Sequence, residues 1–186
     1  LDVNNLNPPR RIEVDQPVLN EREIAKLHAI SDYTAGKFRS RVIDITYQAA
    51  WGSRGVEASL ASLCASAADA IMEGLNIRIL ADRAVGRGRV AIPVLLATSA
   101  LHLHLIGCGL RTSAGLVVDT GAALETHDFA LLIGYGAEAV HPYLALATIR
   151  GLAPKEGIDA DEAVGHYIKA VGKGFTKVMS KMGIST

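Results

Sequence analysis

Residues 93–111 read PVLLATSALHLHLIGCGLR, and the fold turns on how this stretch is read. Its centre, Leu101–His102–Leu103–His104–Leu105, alternates leucine with histidine. On a strand, that alternation would place both imidazoles on one face, as a pair of metal ligands. The apolar run is too long for a strand, however. Pro93 suits the first turn of a helix, and Gly107 or Gly109 suits its C-terminal cap. Successive helical residues turn by about 100°, so His102 and His104 point about 200° apart and cannot share an ion. The remaining pair is His104 and Cys108, at i and i+4 on one face. A closed zinc site takes four ligands, and no second His or Cys cluster follows at metal spacing. The stretch therefore reads as a helix whose histidines pack or cap against neighbours. His104 falls in the last turn, where a cation also suits the helix dipole.

With that helix in place, the chain on either side takes on a βα rhythm. RVIDITY (41–47), NIRILADR (76–83), SAGLVVDT (113–120) and AVHPY (139–143) are strand-like. Between them lie helix-periodic segments, the Ala-rich GVEASLASLCASAADAIMEG (55–74), the helix from Pro93, THDFALLIGYG (126–136) and LALATIRGL (144–152). A last helix runs from about Asp159 to Met182 and stops at Gly183. Upstream, VLNEREIAKLHAI (18–30) predicts a short helix with Asn20 as N-cap and Glu23 three residues on, a capping-box pattern. Strands alternating with helices imply an α/β fold with a parallel sheet. A full (β/α)8 barrel takes eight units and about 250 residues. The four units here predict a partial, half-barrel TIM-like domain. Its parts are a polar N-terminal extension (1–40), a βα core (41–158) and a C-terminal helix (159–186) leading toward a next domain. A half barrel is expected to leave its concave face and two sheet edges uncovered, which calls for a partner, more chain or another copy.

Composition narrows the function classes. The 186 residues are 49% apolar, enough for one compact core. Lys+Arg and Asp+Glu balance at 19 each, so there is no electrostatic footprint for nucleic acid. No apolar run of about 18 residues escapes interruption by charge, Pro or Gly, so no membrane partner is expected. The polar opening LDVNNLNPPRR carries no secretory signal, and Leu1 in place of Met reads as a processed or excised chain. Cys64 and Cys108 sit in apolar helical patterns and read as small core residues, free thiols of a reducing, cytoplasmic setting.

In parallel α/β folds, ligands bind outside the carboxyl ends of the strands. Those ends here carry Asp44, Asp82 with Arg83, Asp119 with Thr120, and His141 with Tyr143. Such residues form either a polar mouth for a ligand or the helix caps and inter-loop salt bridges that βα loops need anyway, for example Arg83 with Asp119. Among the Gly-rich pieces, VGRGRV (85–90), IGYGA (133–137) and VGKGF (171–175), none matches a phosphate-binding fingerprint. VGRGRV, with Arg87 and Arg89 after a strand, is the nearest to a phosphate nest, but reads first as a solvated loop. There is no nucleophile elbow and no paired-carboxylate motif.

Five blocks carry a resemblance that spans nearly the whole chain. They are PPRRIEVDQPVLNEREI (8–24), GVEASLASLCASAADAI (55–71), ILADRAV (79–85), the long run from Ile92 to Ile149 and YIKAVGKGFTKVMSKMGIST (167–186). In order and content they resemble the central domain of the glutamate synthase large subunit. FALLIGYGAEAVHPYLA (129–145) and KVMSKMGIST (177–186) are the most specific pieces. Where the family commonly has SDR, consecutive histidines and INPY, this chain has Ala81–Asp82–Arg83, His102–Leu103–His104 and Val140–His141–Pro142–Tyr143. The resemblance implies a domain joining a glutamine amidotransferase domain to an FMN-binding synthase barrel that also holds an iron–sulfur cluster. In that enzyme, ammonia from glutamine travels internally to 2-oxoglutarate, and reduced FMN yields glutamate. The central domain serves as scaffold and contributes to the ammonia route without turnover of its own. The implied partners are those other domains, with self-association expected of the isolated piece. No catalytic, cofactor or metal residue is carried over. Asp44, Asp82, Arg83, Asp119 and His141 remain as polar strand-end candidates. The alternative is a freestanding small barrel-type enzyme or ligand-binding domain that uses those strand ends on a small anion.

Overall fold

A computed structural model describes residues 11–183. The opening LDVNNLNPPR and the closing IST, which belong to two of the blocks above, lie outside these residues. The stretch that opened the sequence reading is helical, from Val94 to Gly107, with Pro93 just ahead of the first turn and Cys108 as C-cap. In chain order the elements are α1 (Glu21–His28), α2 (Ile30–Tyr33), β1 (Ser40–Asp44), β2 (Thr46–Gln48), α3 (Gly52–Met72), β3 (Ile77–Ala81), β4 (Arg89–Ala91), α4 (Val94–Gly107), β5 (Gly115–Asp119), α5 (Thr126–Gly134), β6 (Ala139–His141), α6 (Tyr143–Leu152) and α7 (Ala160–Met182).

The main sheet has the order β1-β3-β5-β6, parallel throughout. Strands follow one another in the sheet as in the chain, because each helix returns the chain to the neighbouring position. RVIDITY does not form one strand. It breaks at the buried Ile45, and β2 leaves the sheet to pair antiparallel with β4. Arg89 fixes that break, bonding the Asp44 carboxylate and the Thr46 hydroxyl.

Period-two alternation sorts the strand side chains onto two faces. Leu80 and Leu116 meet Leu63, Ala67, Ala97, Leu101 and Leu105 of α3 and α4. Val118 and Val140 meet Phe129 and Leu132 of α5 and the α7 stripe Val164–Ile168–Val171–Phe175–Met179. The opposite face carries Ile77, Ile79, Val117 and Ala139, which pack against Leu19, Ile24, Leu27 and Ile30. This corrects the expectation of an uncovered concave face: the N-terminal helices lie on it. One of the two edges is covered as well. Val18 runs parallel to Val140, with Val140 N–H donating to Pro17 O at 2.7 Å and Leu19 N–H to Val140 O at 2.8 Å.

The cap of α1 forms as the sequence reads. Asn20 Oδ1 accepts from the N–H of Arg22 and Glu23, and Glu23 Oε2 accepts from Asn20 N–H. Arg150 adds a clamp, donating to Glu21 at the start of α1 and to Asp161 at the start of α7. Replacing Asn20 by Ala should lower stability by about 1 kcal/mol in urea unfolding. A loss below about 0.3 kcal/mol would mean that packing on the sheet holds α1 without its cap.

Arg78, on β3, is fully buried among the outward-facing core side chains. It donates to the carbonyls of Ala67, Leu75 and Ile77 and so gathers the C-terminal end of α3 onto the sheet. Burial lowers its pKa to about 10. Ala49–Met72 is long and apolar enough, by length and composition, to cross a membrane. It contains Arg54, Glu57 and Asp69 and packs on the sheet through Leu63, Ala67 and Ile71.

Candidate functional site

The carboxyl ends of β3, β5 and β6 bring four of the five strand-end candidates together. Strand register sets Asp119 directly opposite His141, and both are about 1% exposed. His141 Nδ1 lies 2.7 Å from Asp119 Oδ1. A carboxylate only accepts, so the imidazole proton sits on Nδ1. Arg83 reaches from the loop after β3 and donates from Nε to Asp119 Oδ2 at 2.5 Å and from Nη2 to Oδ1 at 3.1 Å. Its guanidinium also lies over the Tyr143 ring, 4.3 Å from the centroid, and Nη2 is 3.4 Å from His141 Nδ1.

Asp82 sits beside this group, 5% exposed. It accepts from the Thr120 hydroxyl at 2.5 Å and from Gly121 N–H at 3.1 Å. A Cβ on Gly121 would meet the Tyr143 hydroxyl at 3.0 Å, close enough that the Tyr143 ring would have to shift by a few tenths of an ångström. Burial acts against the Asp119 carboxylate, yet the hydrogen bonds from His141 and Arg83 outweigh it and hold the pKa below the usual carboxylate value. The Tyr143 phenol is pushed up to about 12 by burial and by the Asp82 carboxylate.

Asp44 is not part of this group. It holds Arg89 and Thr46 N–H at the start of the small antiparallel sheet. The Arg83–Asp119 ion pair named from sequence is present. What the sequence did not signal is His141 Nε2. It is buried and has no hydrogen-bond partner among the described residues.

A second polar cluster lies at the opposite ends of the strands. Arg111 donates to His102 Nδ1 at 2.9 Å, to the carbonyls of Ala114 and Gly136, and to Glu138. His102 packs so closely on Gly136, at φ +109°, that no side chain would fit there. Accepting from Arg111 requires the neutral ring. Burial and the Arg111 charge accordingly hold the His102 pKa below its ordinary value. A depressed pKa means that the folded state binds fewer protons than the unfolded chain, whose histidines titrate near about 6.5. The stability this arrangement contributes is therefore complete above that pH and is lost as pH falls through the folded pKa. Urea midpoints between about pH 7 and pH 5 should fall more steeply for the native chain than for His102→Gln. Equal slopes would show that the ring does not titrate against Arg111.

His104 Nε2 lies 3.6 Å from Cys108 Sγ at the exposed end of α4, the i, i+4 pair read from sequence. No group of three or more His, Cys, Asp or Glu among the described residues could hold a metal ion. An iron–sulfur cluster takes about four protein ligands, chiefly cysteine thiolates. The chain has two cysteines and does not fit that group; nor are both core residues as expected, since Cys64 on α3 is half-buried and Cys108, the C-cap of α4, is exposed. Nor do the Gly-rich segments fit a flavin phosphate. VGKGF lies inside α7, where its N–H groups serve the helix. IGYGA lies at the carboxyl end of α5, the wrong pole for an anion. VGRGRV closes on itself, Gly86 and Arg89 exchanging both backbone bonds.

Comparison with known proteins gives this arrangement its context. Residues 2–186 match the family model described as the glutamate synthase central domain. The chain is 41% identical over 179 residues to the glutamate synthase [NADPH] large chain of Bacillus subtilis (strain 168), covering 95% of this chain and 11% of that protein. It is 39% identical over 190 residues to the ferredoxin-dependent glutamate synthase of Pyropia yezoensis, covering 95% and 12%. It is 36% identical over 186 residues to the glutamate synthase [NADH] of Schizosaccharomyces pombe, covering 98% and 9%. The chain spans about a tenth of the length of the curated relatives it matches. By that match, and with a parallel four-stranded sheet and a long C-terminal helix, the chain belongs to the glutamate synthase central domain family.

Proposed function

We propose that this chain serves as the central domain of a glutamate synthase large subunit. It stands as a scaffold between an amidotransferase domain and an FMN-binding synthase domain, and it contributes to the route of ammonia between them. The observation that carries this reading is the family match over residues 2–186, in relatives about ten times as long. The full enzyme converts glutamine and 2-oxoglutarate reductively to glutamate, with FMN and an iron–sulfur cluster held elsewhere in that chain.

The arrangement at the strand ends supports a scaffold. Asp119 is occupied by Arg83 and His141, Asp82 by Thr120 and Gly121, and Asp44 by Arg89. Asp82, Arg83, Asp119 and His141 are proposed as polar lining at the strand ends, where His141 Nε2 is buried without a partner among the described residues. Asp44 is a less suitable candidate because of its place beside Arg89. The successive βα units are read as half of a TIM-like barrel. The bounds are taken as 1–40 for the extension, 41–158 for the core and 159–186 for the part that leads on to the next domain, with α7 (Ala160–Met182) in it. The setting is cytoplasmic.

The isolated chain should show neither glutaminase activity nor 2-oxoglutarate-dependent oxidation of NADPH. Saturable turnover in either assay would overturn the reading.

A further inference from the structure

The open edge of the sheet carries an inference that rests on the reading above, that the chain is one domain of a longer polypeptide. We propose that an extended segment of that polypeptide, outside these 186 residues, adds a strand alongside β1. The segment would pair with the backbone of Ser40, Val42 and Asp44.

The ladder shows which groups are free. Ile77 N–H donates to Arg39 O, and Ile45 N–H donates to Ala81 O. In a parallel pair, alternate residues of a strand bond to one neighbour. Residues 39, 41, 43 and 45 thus face β3, and the N–H and C=O groups of 40, 42 and 44 face outward. The far edge of the same sheet meets this need with an extended segment, residues 17–19 beside β6. Among the described residues no strand lies on the other side of β1.

The space beside β1 fits a strand. A groove of about 530 Å³ runs along it. Arg41, Val42, Ile43 and Asp44 form one wall, and α3 forms the other with Ala58, Ser59, Ser62 and Ser66. Trp51 and Leu63 also line the groove, and the small side chains of α3 leave room for those of an incoming strand. Exposed edges are ordinarily guarded by charge. Here Arg41 leans to Glu73 at 3.7 Å and Asp44 to Arg89 at 2.7 Å, and Val42 stands exposed at the middle of the edge. The groove charges are matched already, so the occupant brings backbone groups and small or apolar side chains. The length of the relatives, of which this chain is about a tenth, supplies the polypeptide for it.

Hydrogen–deuterium exchange, resolved to single residues by mass spectrometry, tests this on the 186-residue chain and on the longer large subunit. The inward Ile43 amide is the internal control. The Val42 amide should exchange freely in the short chain and about 100-fold more slowly in the long one. Equal, fast exchange in both overturns the proposal. So does slow exchange in the dilute short chain, which would mean that its own residues cover the edge. Slowing that appears only as the short chain is concentrated would assign the edge to a second copy, and also overturns it. If no longer polypeptide surrounds this chain, the family reading fails first. A longer polypeptide with a fast Val42 amide defeats this proposal alone.

Discussion

Asp119→Ala should remove about 3–5 kcal/mol of unfolding free energy, read from urea denaturation at neutral pH. Asp119 and His141 are each about 1% exposed, so no water replaces the lost carboxylate. His141 would then keep only the distant Arg83 Nη2, 3.4 Å from Nδ1, beside its unpartnered Nε2, and a buried unpaired group costs about 1–3 kcal/mol. The Arg83 side chain is 51% exposed, and water takes over much of its share. Arg83→Ala should therefore cost only about 1 kcal/mol, from the screened ion pair and the contact with Tyr143. Equal losses in the two variants would place the weight of the cluster on Arg83 and refute the buried pair as its centre. Acid acts in the same direction as the substitution. The depressed Asp119 pKa gives stability that is present above the unfolded value of about 3.9 and is lost as pH falls through the folded pKa.

Arg78→Ala should be as damaging, at about 3–5 kcal/mol. The largest fully buried side chain would leave a hole between β3 and α3, and three carbonyls would lose a charged donor. Arg78→Met separates the two effects, because it refills the hole without restoring the bonds. It should recover part of the loss, and the remainder measures the carbonyls at the end of α3. Full recovery in Arg78→Met would show that only volume matters at this position.

The βα order was legible because length and periodicity agree along most of the chain. The helix around His102 and His104 is the clearest case, since no strand is that long. The capping box at Asn20 and Glu23 was equally legible, as its two bonds are local. What depends on distant partners was not. Nothing in RVIDITY marks Ile45 as a break, because Arg89, 44 residues on, makes it. For the same reason Asp44 was grouped with Asp119, although they serve different ends of the chain's hydrogen bonding. No local pattern marks a partner for Arg78, and only the tertiary fold supplies the three carbonyls that let it be buried. Asp82, Arg83, Asp119 and His141 could be placed at strand ends from sequence. The register that sets Asp119 opposite His141, and leaves Nε2 without a partner, could not.

The pairing of Val18 with Val140 has a consequence for the order of events during synthesis. These residues are 122 positions apart and meet in an isolated parallel bridge. At about 5–20 residues per second, the ribosome takes roughly 6–24 s to reach β6 after residue 18 has been made. Throughout that interval Leu19, Ile24, Leu27 and Ile30 have no completed sheet to lie on. Residues 17–30, made before the strands they cover, are thus among the last to settle, and a nascent chain stalled before residue 140 leaves them open to chaperones and proteases.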